Sequence, residues 1–528
     1  MLRIDQLRLT PEEPESQLPV KAAKVLRVAP EQILSLQILR RAVDAREQLL
    51  FVYTVVVEVK KEEALLHRCR DRRVSRYAPQ HYTPPVPQPA PEIPPVVIGA
   101  GPAGLFAALV LALAGMRPIL LERGQCAERR TEDVQRFWRD GMLDPESNVQ
   151  FGEGGAGAFS DGKLNTGTKD LRHRWILEQL VSCGSPESIL IDAKPHIGTD
   201  FLHITLQNLR KKLQDSGCDI RFGHRLEQVH TQDGTLTGLT VRSGNDTYHL
   251  PCHHAVLAVG HSARDTFEML HSCGITMEPK PFAVGVRIEH SQAAIDAVQY
   301  KEFAGHPSLG AATYKLSCHL PNGRSAFSFC VCPGGEVVAA ASETGRTVTN
   351  GMSEYARDKE NINGALLVNV TPQDFPTDHP LAGIAFQRAL EETAFAAGSN
   401  PYHAPCQRVE DFLLRRPSTG PGSVKPSYRP GVTWCDLHRC LPLFVAETLE
   451  LALPVLEQKL PGYAHGDALL TAVESRSSSP VRIPRDETCQ SNIRGLYPCG
   501  EGAGYAGGIL SAAADGMRCA EQITGGIL

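Results

Sequence analysis

Gly99-Ala100-Gly101-Pro102-Ala103-Gly104, with Glu122 downstream, has the residue types and spacing that hold a dinucleotide. Gly99 allows a tight turn, Gly101 lets the backbone approach a pyrophosphate, and Gly104 lets a helix pack closely on a strand. The free N–H groups and the positive end of the following helix dipole hold phosphates. Glu122 lies where a carboxylate takes two ribose hydroxyls. The GxGxxG pattern recurs at 152–157 and 502–507, so the flanking elements decide. An apolar strand at 96–98, a helical run at 105–113 and a second strand at 118–121 surround the first copy. The second copy lacks a preceding strand, and the third has no strand and acid after its helix. The long apolar run 96–121 also suits a membrane helix, but its glycines and prolines sit where strand–helix junctions belong.

The chain has 528 residues, a formal net charge of −5, 42% hydrophobic and 21% charged residues. Two or three domains of ordinary globular composition are expected. The charge excludes a generally basic nucleic-acid binder. Residues 1–16 show no secretory pattern. The fifteen cysteines include no CxxC pair. We therefore expect a cytoplasmic protein with mostly reduced, structural thiols and no metal site.

Residues 1–78 read as a small α+β module: strands at 2–9, 33–41 and 50–59, with helices at 16–28 and 60–70. Residues 78–95 contain eight prolines, the composition of a stiff, extended linker and a domain boundary. Beyond the nucleotide unit come a helix (199–216), a strand (219–229), a hairpin (236–243 and 247–250) and a buried strand (254–259). Short strands and glycine- or proline-rich loops then run from 279 to about 476, with helices at 383–397 and 445–458. The last segment, from 495, reads as strand, glycine loop and small-residue helix.

A nucleotide unit early in the chain and a glycine loop with a helix at its end form the layout of FAD-binding oxidoreductases. More specific are VQFGEGGAGAFSDGKLNTG, PFAVGVRIEH, FCVCPGGEVVAAASETGRTVTNGMS, VESRSSSPVRIPRD and GLYPCGEGAGYAGGILSAAADG. Together they resemble a family of bacterial and plastid FAD-dependent dehydrogenases, and the resemblance covers essentially the whole chain. It implies an α/β fold: a Rossmann-like FAD-binding domain of the succinate dehydrogenase/fumarate reductase type, an inserted mostly β cap and a small N-terminal α+β domain. The boundaries are 1–78 for the N-terminal module, 79–94 for the linker, 95–278 and 477–528 for the two parts of the flavin domain, and 279–476 for the cap. It implies FAD, rather than NAD alone, as cofactor. Gly99, Gly101 and Gly104 would take the pyrophosphate, Glu122 the ribose, and Arg123 would lie over the adenine. Gly155, Ser160, Asp161 and Lys163 would border the ribityl chain or the isoalloxazine. Gly260 would permit passage beside the cofactor, and Gly500 and Glu501 would hold the ribityl or pyrophosphate. The helix beginning at Gly508 and Ile509 would point its N-terminus at the flavin, or simply pack.

Catalytic candidates are Cys330, Cys332, Arg287 and Arg482. The cysteines read as a redox pair or as structural residues before the turn at 333–335. On a flat strand their side chains lie ~7 Å apart, too far for an unstrained disulfide. Arg287 and Arg482 would converge at the cap junction on a carboxylate or phosphate, or pin the domains together. Glu289 and His290 are an acid/base pair of which at most one faces the site, because adjacent strand residues point oppositely. Asn350, Asn361 and Asn363 would contact flavin or fix turns.

The module 1–78 holds 15 Lys and Arg against 11 Asp and Glu, with Arg68, Arg70, Arg72, Arg73 and Arg76 close together. That run suits RNA, an acidic partner or a solvated helix end. The expected function is an FAD-dependent oxidoreductase passing a hydride or electrons through flavin N5 to or from a small, anionic substrate. The alternative is an RNA- or partner-binding flavoprotein with structural or redox-sensing FAD. No second nucleotide unit is expected, so NAD(P)H would serve only as a transient electron donor.

Overall fold

A computed structural model describes residues 1–525. Strands Leu496–Pro498, Ala255–Leu257, Val96–Ile98, Ile119–Glu122 and Asp219–Phe222 lie side by side in that order, all parallel. The last strand of the chain thus completes a sheet begun 400 residues earlier, on the edge away from Ile119–Glu122. Three central strands are buried on both faces, which explains their uninterrupted apolar sequences. Helix Pro102–Leu113 is buried almost all round, from Phe106 to Leu111. Its apolarity therefore belongs to a core helix. No helix among the described residues is long and apolar enough to cross a membrane.

The expected strand 219–229 is two strands. Gly223, at φ +70°, breaks it. Asp219–Phe222 joins the parallel sheet, and His224–Gln232 begins an antiparallel meander with Thr235–Ser243 and Asp246–Pro251.

Between the two parts of the parallel sheet the chain builds a seven-stranded sheet. Its order is Ser317–His319, Ser325–Cys332, Asn361–Val370, Phe282–Ser291, Leu469–Glu474, Ala404–Arg408 and Val432–Trp434. All pairings are antiparallel except the last. Helices Ala382–Ala397 and Leu443–Lys459 pack on it, as the sequence pattern predicts, together with an unforeseen helix Gln292–Tyr300. Glu278–Pro279 pairs antiparallel with Val481–Arg482, so the chain leaves the parallel sheet and returns to it at one place.

The N-terminal sheet has the order Ile33–Asp44, Leu50–Val59, Leu2–Leu9, Val74–Arg76. The first strand does not alternate evenly. Gln6, at φ +60°, makes a bulge, so Ile4 and Leu7 both point inward with Leu2 and Leu9. This unit is docked rather than loosely tethered: Arg41 exchanges two backbone hydrogen bonds with Ile191 and Ala193, and its guanidinium meets Asp192 at 2.9 Å. The proline-rich stretch 78–95 has no regular structure before Val96 and is strapped down. Tyr82 Oη donates to Glu521 at 2.8 Å, and Gln88 Nε2 to the Thr524 carbonyl at 2.7 Å.

Candidate functional site

The three glycines of the first turn have three different reasons to be glycine. Gly99 sits at φ +103°, and a Cβ there would overlap the Ala258 carbonyl. A Cβ on Gly104 would overlap the Gly99 carbonyl oxygen, because helix and strand touch there. Gly101 has an ordinary φ of −76°, and a Cβ on it meets nothing nearer than 3.9 Å. Protein packing does not require glycine at 101; open space in front of its backbone does.

That space is a cleft of about 360 Å³. Gly99, Gly101, Glu122, Arg123, Gly155, Ser160, Lys163, Gly260, Gly500, Glu501, Gly508 and Ile509 all border it. Of the proposed cofactor residues only Gly104 stands back, in the helix–strand contact. Two helices begin at the cleft, Pro102–Leu113 and Ile509–Ile523, each capped by a glycine with no side-chain cap on its first N–H groups. They reach it together because Gly516 lies against the Ala103 backbone, where a Cβ would overlap. Two uncapped helix ends facing one cavity suit a phosphate-bearing ligand. Gly260 and Gly508 leave further open space beside their backbones.

Glu122 accepts three backbone hydrogen bonds, from Ala100 (2.7 Å), Gly124 (2.9 Å) and Gly152 (2.9 Å). It ties the first two glycine turns together while bordering the cleft. Arg123 stacks over Phe151 at 4.1 Å and bonds Glu146 and Asp265. Ser160 closes its own turn, donating to Gly157 O and accepting from Gly162 N. Asp161 is fully buried. Burial alone would raise its pKa, but Lys163 at 2.6 Å and Arg357 at 2.6 Å hold it down, at about 2. Burial pushes Glu501 up to about 7, with only Lys280 opposing.

The catalytic candidates separate. Arg287 is wholly buried, donating to the Cys330 carbonyl at 3.1 Å and to Asn363 Oδ1, with Glu474 at 3.7 Å. Arg482 is exposed and lies over the Tyr505 ring at 4.6 Å. Neither borders the cleft, so the expected convergence of the two arginines on an anion does not occur. The reason is that the Arg287 guanidinium is taken up behind the cleft wall by the Cys330 carbonyl, Asn363 and Glu474, while Arg482 turns onto Tyr505 at the surface. Glu289 is bonded to Ser427 and Asn361, and His290 to the Tyr463 carbonyl. Both are buried away from the cleft, on opposite faces. Asn350 borders the cleft; Asn361 and Asn363 serve Glu289 and Arg287.

Cys330 and Cys332 overturn the flat-strand geometry. The pairing of Ser325–Cys332 with Asn361–Val370 shifts register between Phe329 and Cys332, and Cys330 stands at φ +44°. The kink folds Cys332 back on Cys330, so that Cys332 Sγ donates to the Cys330 carbonyl at 3.3 Å. Cys330 borders the cleft, and Cys332 is buried behind it.

Sequence reasoning missed Glu474 and Arg476, which border the cleft where the chain leaves the seven-stranded sheet. They lie inside VESRSSSPVRIPRD, upstream of Arg482. Burial raises Glu474 to about 7, against the pull of Arg287. Arg476 bonds Glu391 at 2.9 Å, and Glu391 also binds Arg264 at 2.6 Å. This buried cluster fastens helix Arg264–Ser272 to helix Ala382–Ala397 beside the cleft.

Three family models match the chain: an FAD-binding domain over residues 92–135, an FAD-dependent protein C-terminal domain over 281–477, and a domain of unknown function over 1–58. An uncharacterized protein of Clostridium beijerinckii is 46% identical over 528 residues, 99% of this chain and 98% of that one. The chain belongs to that family of FAD-dependent proteins. FAD is the cofactor of this flavoprotein. Among solved structures, the Escherichia coli quinol fumarate reductase subunit FrdA covers 82% of this chain and 70% of its own, at 12% identity and TM-score 0.35. The 3-ketosteroid-delta4-(5alpha)-dehydrogenase of Rhodococcus jostii RHA1 covers 82% and 96%, at 12% and 0.34. At such scores the flavoprotein's fold rests on its own strand order.

Proposed function

We propose that this flavoprotein is an oxidoreductase whose small substrate reacts between the parallel sheet and the seven-stranded sheet. One observation carries the reading: a single cleft is bordered by the glycine turns of the first, by Cys330 and Glu474 of the second, by Asn350 of the strand pair Glu336–Ala339 and Thr349–Met352, and by Arg476 on the returning segment. FAD, when bound, supplies hydride or electron transfer at N5. The two glycine-capped helix ends bind and orient its phosphates. Lys163 and Arg476 are the cations that favour an anionic substrate, replacing Arg287 and Arg482 in that role. Glu474, held near neutrality by burial, can keep or release a proton at its carboxyl oxygen around pH 7. The seven-stranded sheet covers the site and excludes water. We read 279–476 as the cap and 95–278 with 477–528 as the flavin domain, and NAD(P)H as at most a transient donor at the flavin face.

The test is an anaerobic screen of physiological donors and acceptors against purified yellow protein. Bleaching by a two-electron donor, with reoxidation by an acceptor, is the expected result. A flavin reduced only by dithionite, whatever donor is offered, refutes catalysis.

A further inference from the structure

We propose that Cys330 and Cys332 form a reversible dithiol–disulfide couple that exchanges an electron pair with the flavin. The inference rests on the reading above, that flavin and substrate meet in this cleft, and it places the flavin ring at the end bordered by Lys163, Cys330 and Asn350.

Geometry carries it. On a flat strand, residues two apart are ~7 Å apart. Here the register shift and the positive φ of Cys330 break that spacing and fold Cys332 Sγ back to 3.3 Å from the Cys330 carbonyl. A non-glycine residue held at positive φ is strained, and such strain is retained where the surroundings enforce it. The surroundings do: Arg287 grips the Cys330 carbonyl at 3.1 Å. The same guanidinium lies 3.8 Å from Cys332 Sγ, and Lys163 Nζ lies 4.0 Å from it on another side. Arg287 and Lys163 are themselves balanced by Glu474 and Asp161. One sulfur is thus buried between two cations, while its partner faces the cleft.

Two other buried cysteines look different. Cys218 and Cys252 sit in apolar surroundings, and burial pushes their thiols up to about 12. At Cys332 the neighbouring Cys330 thiol, with Lys163 and Arg287, outweighs burial and brings the thiol down to about 6, while Cys330 is pushed up. The reacting form of such a pair is one thiolate, here at Cys332 between the two cations, and one thiol, at Cys330.

The step balances without an outside reagent. The S–H bond of Cys330 breaks and the S–S bond forms. The two electrons and the Cys330 proton pass to oxidised flavin, which becomes the reduced anion. One thiolate, one thiol and oxidised FAD thereby become one disulfide and reduced FAD, and the reverse step restores them.

The experiment is an anaerobic dithionite titration of air-oxidised holoprotein, with FAD quantified by absorbance. Wild type is expected to consume about two equivalents per FAD, and Cys330→Ser and Cys332→Ser about one each, since a dithiol and a flavin each take two electrons. Differential alkylation with peptide mapping gives a readout that needs no variant: Cys330 and Cys332 should be protected in the oxidised protein and free after reduction. One equivalent in wild type, or oxidation mapped instead to the neighbouring thiols Cys435 and Cys440 or Cys489 and Cys519, overturns the proposal. Colourless protein that cannot be reconstituted refutes the flavin placement, and is seen before any thiol is counted.

Discussion

Two alanines three residues apart should have opposite effects. At Gly104 a methyl group has nowhere to go, because it would overlap the Gly99 carbonyl oxygen, which belongs to the turn leaving Val96–Ile98. Backbone cannot step aside as a side chain can. Gly104→Ala should therefore cost at least the ~1–3 kcal/mol of core overpacking. At Gly101 the same methyl meets only the Gly155 Cα at 3.9 Å, and φ of −76° already suits alanine. The remaining cost is that of a poorer N-cap, roughly 1 kcal/mol or less. Its methyl stands where a bound pyrophosphate would lie. If the ligand suffers a comparable overpacking penalty of ~1–3 kcal/mol, FAD should bind roughly 5- to 160-fold more weakly. The assay is denaturant unfolding of both apoproteins beside FAD titration followed by flavin fluorescence. Gly101→Ala should unfold close to wild type yet bind FAD poorly, and Gly104→Ala should unfold early. Wild-type FAD affinity in Gly101→Ala, or an equal loss of apoprotein stability in both variants, would refute the assignment of the open space to the cofactor.

Three further outcomes concern charged side chains. Asp161, whose pKa falls from 3.8 to about 2, contributes roughly 2 kcal/mol above its ordinary value. A depressed carboxylate keeps that contribution above pH ~4 and loses it as pH falls toward 2. The stability gap between wild type and Asp161→Asn should hold from pH 7 to about 4 and shrink below, so a gap already closed at pH 5 contradicts the ion-pair account. Arg287→Lys should destabilise the fold by about 2–4 kcal/mol, because a lysine cannot reach the Cys330 carbonyl and Asn363 together. Arg482→Lys, on the surface, should stay within about 0.5 kcal/mol of wild type, and a marked loss of flavin reduction with unchanged melting in either variant would restore the abandoned anion clamp.

The nucleotide turn, Glu122 and the closing glycine helix were legible in sequence because their demands are local. A tight turn, a close helix–strand contact and an uncapped helix end each need glycine at one position, whatever the rest of the chain does. Apolar runs at 96–98, 119–122 and 255–257 likewise mark strands buried on both faces. What faces the cleft from the seven-stranded sheet was not legible. Arg287 and Arg482 look alike in sequence, yet one is buried in a sheet and the other lies on the surface, because strand alternation and register are set by partners far along the chain. Glu474 and Arg476 reach the cleft only through the place where the returning chain crosses toward the parallel sheet. The cysteine pair shows the difference most sharply. Spacing alone makes Cys330 and Cys332 same-side neighbours too far apart to react. A single bulge, held by an arginine from the adjacent-but-one strand, folds Cys332 back onto Cys330, and only tertiary packing decides where a bulge falls.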